Sequence, residues 1–151
     1  MPTHAASHTR RSTPHRSPVR RIRLLLVDDH SMVRQALRNH IDRWPDIELV
    51  GEAADGDEAV RLADKLSPDV VVMDIRMPRM SSIEATRLIL RKHPSVCIIG
   101  LSVETGTNKQ EALLKAGACT VLDKGTSSRR LHNIISQAVD RYRGVCLPGG
   151  R

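Results

Sequence analysis

Five short apolar runs, separated by stretches of helical periodicity, constrain this chain more than any other feature. They are LLLV (24–27), IELVGE (47–52), which alternates less cleanly and reads as a shorter strand, VVVM (70–73), VCIIGL (96–101) and TVL (120–122). A continuous apolar run of four to six residues suits a strand buried on both faces. In the third run the Val content favours a strand, and Pro78 stands where a long helix would have to continue. Four of the runs lead directly to polar residues: Asp28-Asp29, Asp74, Ser102 and Asp123-Lys124.

The intervening segments read as helices. Val33, Leu37 and Ile41 share one face after the first run, and Trp44-Pro45-Asp46 follows them. Asp55 with Glu58, and Ser81 with Glu84, have capping-box spacing ahead of two further helices, the second reaching His93 and closed by Pro94. Thr107 with Gln110 opens a fourth, and Gly117 is placed to end it. The last carries the clearest stripe, Leu131, Ile134, Ile135, Ala138 and Val139, with Gly144 as its expected end. Five strands alternating with five helices predict an α/β, doubly wound parallel sheet, because parallel strands need crossover helices on both faces.

Composition sharpens this frame. The chain has 151 residues, enough for one core, and no Phe, one Trp and one Tyr, so that core is built from Leu, Ile, Val, Met and Ala. The net charge of +7 suggests nucleic acid, but residues 1–21 hold five Arg and no acid, leaving 19 basic against 17 acidic residues in the rest. The basicity is that of a tail, expected to be disordered because it has almost nothing to bury. Arg- and Ser-rich starts also occur in organellar transit peptides, but Pro2, Pro14 and Pro18 spoil an amphipathic helix here. The expected division is a tail over 1–21, a folded domain over 22–143 and a C-terminal tail or linker start over 144–151. No apolar run approaches the roughly 18 residues of a membrane span. Cys97, Cys119 and Cys146 lack metal-ligand spacing; two lie within or beside apolar runs as small hydrophobes, so a reduced, cytoplasmic protein is expected.

In such a sheet, ligands bind beyond the carboxyl ends of the strands. Three carboxylates converging there repel one another unless a cation neutralises them. A hard divalent ion such as Mg²⁺ takes one or two carboxylates with waters and phosphate oxygens. Lys124 adds a mobile positive charge for a phosphate oxygen, and Ser102 a hydroxyl for a newly arrived oxyanion. Together these residues describe phosphoryl transfer onto Asp74. Taken singly each has a plainer reading: Asp28 and Asp29 as caps of the next helix, Lys124 as a solvated loop lysine, Ser102 as a turn residue. Their common placement at strand ends favours the joint reading.

LLLVDDH (24–30), VVVMDIRMP (70–78), IIGLS (98–102), KAGA (115–118) and LDK (122–124) resemble, in this spacing, the receiver domain of bacterial two-component response regulators. VDDHSMVRQALR (27–38) and DIRMPRMSSIEATR (74–87) are most similar to regulators with a LuxR-type helix-turn-helix output domain. The resemblance implies a flavodoxin-like strand order 2-1-3-4-5. It also implies that Asp74 is the phosphoacceptor, that Asp28, Asp29, Asp74 and the Arg76 backbone carbonyl hold Mg²⁺, and that Ser102 and Lys124 contact the phosphoryl group. The implied partner is a sensor histidine kinase, and phosphorylation would repack the face of helix 4, strand 5 and helix 5, with homodimer formation as one outcome.

Three departures are visible. Ser81-Ser82 stand where relatives carry Asn or Asp then Gly, so a strained or differently shaped loop is expected. Val121 replaces the strand-5 switch aromatic, and Gly125 replaces a proline frequent after the lysine. Two alternatives remain beside the phosphorylation switch: the receiver part of a truncated DNA-binding transcription regulator, and a degenerate receiver that no longer responds to phosphate. The segment 144–151 resembles the start of a linker to a helix-turn-helix, but no recognition helix pair follows, so base-specific DNA contact by these residues is not expected. A Mg²⁺-dependent phosphohydrolase is disfavoured because Arg76 occupies the place where such enzymes put an additional acid or base. The chain is therefore expected not to be a turnover enzyme.

Overall fold

The computed structural model describes residues 20–77, 80–103 and 108–145, with side chains up to Arg141. Within these residues ten elements alternate: β1 (Ile22–Val27), α1 (Ser31–Ile41), β2 (Ile47–Ala53), α2 (Gly56–Leu66), β3 (Val70–Asp74), α3 (Ser82–Lys92), β4 (Cys97–Ser102), α4 (Asn108–Ala116), β5 (Thr120–Asp123) and α5 (Ser128–Val145). The strands form one parallel sheet in the order β2-β1-β3-β4-β5. The switch in strand order lies between β1 and β3, which places their carboxyl ends side by side at a crevice.

Each face of the sheet has its own core. On one face Leu24, Leu26, Val72, Ile99 and Leu101 pack with Ile41 of α1 and with Leu131, Ile135 and Val139 of α5. On the other, Leu25, Val27, Val71, Met73 and Ile98 pack with Ala59 and Ala63 of α2, Ala85 and Ile89 of α3 and Leu113 of α4. Successive strand residues thus feed opposite cores, which is why β1, β3 and β4 read as unbroken apolar runs. At Gly100 a helix side chain comes close to the sheet: a Cβ there would lie 2.4 Å from Leu113 Cδ2.

The capping signals act as their spacing predicts, with one variation. Asp55 accepts from the Glu58 N–H at 2.9 Å, but the Glu58 carboxylate reaches back one residue further, to the Ala54 N–H at 2.9 Å. Ser81 accepts from the Glu84 N–H at 3.1 Å. Gly117, at φ 121°, ends α4 with the paired bonds Gly117 N–H to Leu114 O and Ala118 N–H to Leu113 O that define a Schellman turn. Thr107, its expected start, lies outside the described residues.

Several expectations need revision. Gly144 does not end the last helix, which runs on to Val145. The expected strain at Ser81-Ser82 is absent: Ser81 has φ −68°, and among the described residues the one non-glycine positive φ is at Ser67. The Ser82 hydroxyl explains the fit. It is buried and donates to the carbonyls of both Asp74 and Ile75, so the serine ties the start of α3 to the end of β3 where a glycine would offer no bond. Of the segment read as a basic tail, residues 1–19 lie outside the described residues. Arg20 pairs with Asp69 at 3.0 Å, and Arg21 donates to the Ile47 carbonyl at 2.9 Å.

Candidate functional site

The crevice at the carboxyl ends of β1 and β3 collects the acids. β1 ends at Val27, and Asp28 follows, its N–H donating to the Ala53 carbonyl at the end of β2. Asp28 is 1% exposed and Asp74, the last residue of β3, 3%. Burial this deep for two neighbouring carboxylates is unfavourable without compensation.

Lys124 supplies part of that compensation. Its backbone N–H bonds the Ser102 carbonyl at 2.8 Å, which fixes the start of the β5–α5 loop against the end of β4. From there Nζ reaches Asp28 Oδ2 at 3.1 Å and Asp74 Oδ2 at 3.2 Å. Ser102 is itself buried at the end of β4. Asp74 Oδ1 accepts from the Arg76 N–H at 3.1 Å, two residues along the chain. Burial, joined by the Asp28 charge, lifts the Asp74 carboxyl above its ordinary value, against the opposing pull of the Arg76 N–H and Lys124. For Lys124, burial disfavours the ammonium, but the Asp28 hydrogen bond and the charges of both acids outweigh it and hold the group above its ordinary value.

The alternative role of Asp28 and Asp29 as caps of α1 does not hold, since His30 occupies the N-cap position. His30 instead contacts the acid pair from the exposed rim of the crevice. Its N–H donates to Asp28 Oδ1 at 2.8 Å, and its ring Nδ1 lies 3.3 Å from Asp28 Oδ1 and 3.1 Å from Asp29 Oδ1. One atom from each of Asp28, Asp29, His30 and Asp74 falls within 4.8 Å of the others. Sequence reasoning overlooked His30, although its place directly after the acid pair was the available signal. Arg34 supports the cluster from α1: it donates to the Asp28 carbonyl and pairs with Glu52 at 3.3 Å, while Arg38 holds the other Glu52 oxygen at 3.0 Å.

Among the described residues, Asp28 Oδ2 and Asp74 Oδ2 are buried, and both are paired with the same group, the Lys124 ammonium. One ammonium thus stands against three carboxylates. Hard oxygen donors with a net negative charge are the donor set that suits a hard divalent cation, so the residues present fit such an ion. Val121 is partly buried and packs on the α2–α3–α4 side of the sheet. Gly125 donates its N–H to Asp123 Oδ1 at 2.6 Å, closing a turn just after Lys124.

The sequence model described as the response regulator receiver domain matches residues 24–136. The transcriptional regulatory protein LiaR of Bacillus subtilis is 44% identical over 117 residues, 78% of this chain and 56% of LiaR. A protein-glutamate methylesterase/protein-glutamine glutaminase of Pyrococcus abyssi is 39% identical over 110 residues, 72% of this chain and 30% of that protein. The chain therefore spans about half the length of the first of these relatives and less than a third of the second. Among solved structures, a LuxR family two-component response regulator from Aurantimonas sp. superposes with a TM-score of 0.75 at 35% identity, covering 80% of this chain and 86% of that one.

Proposed function

The chain belongs to the response regulator receiver domains of two-component systems, and from that premise we propose that it is a phosphorylation switch whose phosphoacceptor is Asp74. The observation that carries this reading is the buried Asp74 carboxylate at the end of β3, sharing Lys124 with Asp28. A carboxylate oxygen of Asp74 attacks the phosphorus of a phosphohistidine on a sensor kinase. The new P–O bond forms as the P–N bond breaks, and the electron pair leaves on the imidazole nitrogen, which takes up a proton. Lys124 holds a non-bridging phosphoryl oxygen, and the Ser102 hydroxyl donates to another. Asp28, Asp29, Asp74 and the Arg76 carbonyl would hold Mg²⁺, which supplies charge neutralisation for the transferring group. His30, the N-cap of α1, keeps the acid pair in place.

The kinase reading draws support from the surface beside the site. Met32 on α1 is 82% exposed, and a cavity of about 320 Å³ lies between α1 and α5, lined by Val33, Leu37, Lys124 and Leu131. An apolar rim that meets the site at Lys124 suits a helical partner that must deliver a phosphohistidine. The modified state carries about −1.5 to −2 extra charge, which biases the helix 4, strand 5, helix 5 face and, with it, homodimer formation. The switch works in the cytoplasm, and no described helix is long and apolar enough to cross a membrane. LiaR is a transcriptional regulatory protein, and that likeness favours service as the receiver part of a transcription regulator, with DNA read by an output domain rather than by the receiver. The arrangement serves one transfer and its reversal, not sustained turnover.

The test is incubation with Mg²⁺ and a small phosphodonor such as acetyl phosphate, followed by intact mass measurement. Wild type gains one acid-stable, base-labile phosphoryl group, and Asp74→Asn gains none. Phosphoryl gain in Asp74→Asn, or none in wild type with either a donor or a kinase, contradicts the assignment. Steady phosphate release over many turnovers would favour the hydrolase instead.

A further inference from the structure

Cys97 opens β4 and Cys119 stands one residue before β5, and their Sγ atoms lie 2.8 Å apart. No disulfide joins them. Contact at this distance needs only a small approach to reach the roughly 2.05 Å of a disulfide. The two environments are unequal. Cys97 has no exposed surface and belongs to the core shared with α1 and α5. Cys119 is partly exposed and borders a cavity of about 200 Å³ at the edge of β5 and α5, together with Leu122, Ile134, Arg130 and Arg141. Arg130 and Arg141 make the lining of that opening basic, and the opening gives a small polar oxidant a route to the Cys119 side chain. The contact with Cys119, together with burial, holds the Cys97 thiol protonated, far above its ordinary range.

We propose that Cys97 and Cys119 form an oxidation site for peroxide-class oxidants, in which Cys119 meets the oxidant and Cys97 resolves it into a disulfide joining β4 to β5. The Cys119 sulfur attacks a peroxide oxygen; the S–O bond forms, the O–O bond breaks, and hydroxide leaves as water with the thiol proton. The Cys97 sulfur then attacks Cys119 Sγ. The S–S bond forms, the S–O bond breaks, and the second hydroxide leaves as water with the Cys97 proton. Two thiols have lost two electrons, and one hydrogen peroxide has become two waters. The second step needs no encounter because the sulfurs already touch, which offsets the low reactivity of a protonated thiol. The bond would pin β5 to β4 at the sheet edge opposite Ser102 and Lys124, on the face covered by α5. This site rests on the thiol geometry and is independent of phosphorylation at Asp74.

The folded full-length chain is treated with hydrogen peroxide, unfolded, alkylated with N-ethylmaleimide and mapped by peptide mass spectrometry. The expected product is a peptide pair linking Cys97 to Cys119, two hydrogens lighter than the thiols and restored by dithiothreitol. In Cys97→Ser, Cys119 stops at the sulfenic acid and is trapped by dimedone; far-ultraviolet circular dichroism establishes that this variant is folded. The proposal is overturned if both thiols of wild type are alkylated after treatment. It is equally overturned if Cys119 becomes sulfinic acid while Cys97 stays reduced, or if Cys119 links to Cys146 or to a second chain.

Discussion

Two carboxylates bracket β3, and the chain treats them in opposite ways. Asp69, just before the strand, accepts from the Arg23 N–H at 2.8 Å and the Arg20 guanidinium at 3.0 Å. Its own N–H donates to the Arg23 carbonyl and its carbonyl accepts from the Cys97 N–H, so it ties the starts of β1, β3 and β4 together. Asp74, at the other end of the strand, is more deeply buried, has Asp28 beside it and shares a single ammonium with it. Donors meet acceptors at Asp69, whereas charge exceeds counter-charge at Asp74. The first arrangement holds the fold; the second leaves an electrostatic deficit that a cation and a phosphoryl group are suited to fill.

Substitution at the two ends therefore has opposite consequences. Asp69→Ala removes the acceptor of the part-buried Arg23 N–H and of the Arg20 guanidinium, and losing hydrogen bonds to a charged group costs about 1.5–3 kcal/mol. Urea denaturation should show that loss, while metal-free Asp74→Asn should be no less stable than wild type. Equal losses at both positions would remove the distinction. A smaller effect is expected at Ser82→Ala, which removes a hydroxyl bonded to the Asp74 and Ile75 carbonyls. It should lower stability by about 1 kcal/mol, and an unchanged urea midpoint would mean that those carbonyls find other donors. The smallest signature is in pH. Because the Asp74 pKa is raised above the ordinary 3.8, its contribution to metal-free stability is complete below that value and is lost as pH rises through the raised one. The stability of wild type relative to Asp74→Asn should therefore fall over that interval. A rise would reverse the sign of the account.

Much of this was legible from residue order. The strand runs of β1, β3 and β4 are unbroken because each strand feeds two cores, and that pattern survives in a single sequence. Asp74, Asp28, Asp29, Ser102 and Lys124 were legible because the fold puts strand ends on one edge. What escaped reading depends on distance between remote segments. β2 was blurred because its middle residues are only partly buried and its pairing with β1 shifts between Leu24 and Leu25. Ser82 looked like a liability by comparison with glycine, since the two carbonyls that take its hydroxyl are seven and eight residues away. Cys97 and Cys119 read as separate small hydrophobes, and only the β4–β5 pairing brings the sulfurs into contact. Gly144 read as a stop because glycine weakens helices, a local cost that α5 overrides in running on to Val145.

The central claim is that the Asp74 end of β3 carries a charge deficit that a divalent cation fills. Thermal unfolding of the wild type across a Mg²⁺ titration tests it directly, with Asp28→Asn and Asp69→Asn alongside. Binding to the folded state alone raises stability with the logarithm of ion concentration once above Kd. The account predicts that midpoint increase in wild type, its persistence in Asp69→Asn and its loss in Asp28→Asn. A wild-type midpoint indifferent to Mg²⁺, or a shift that survives in Asp28→Asn, would contradict it.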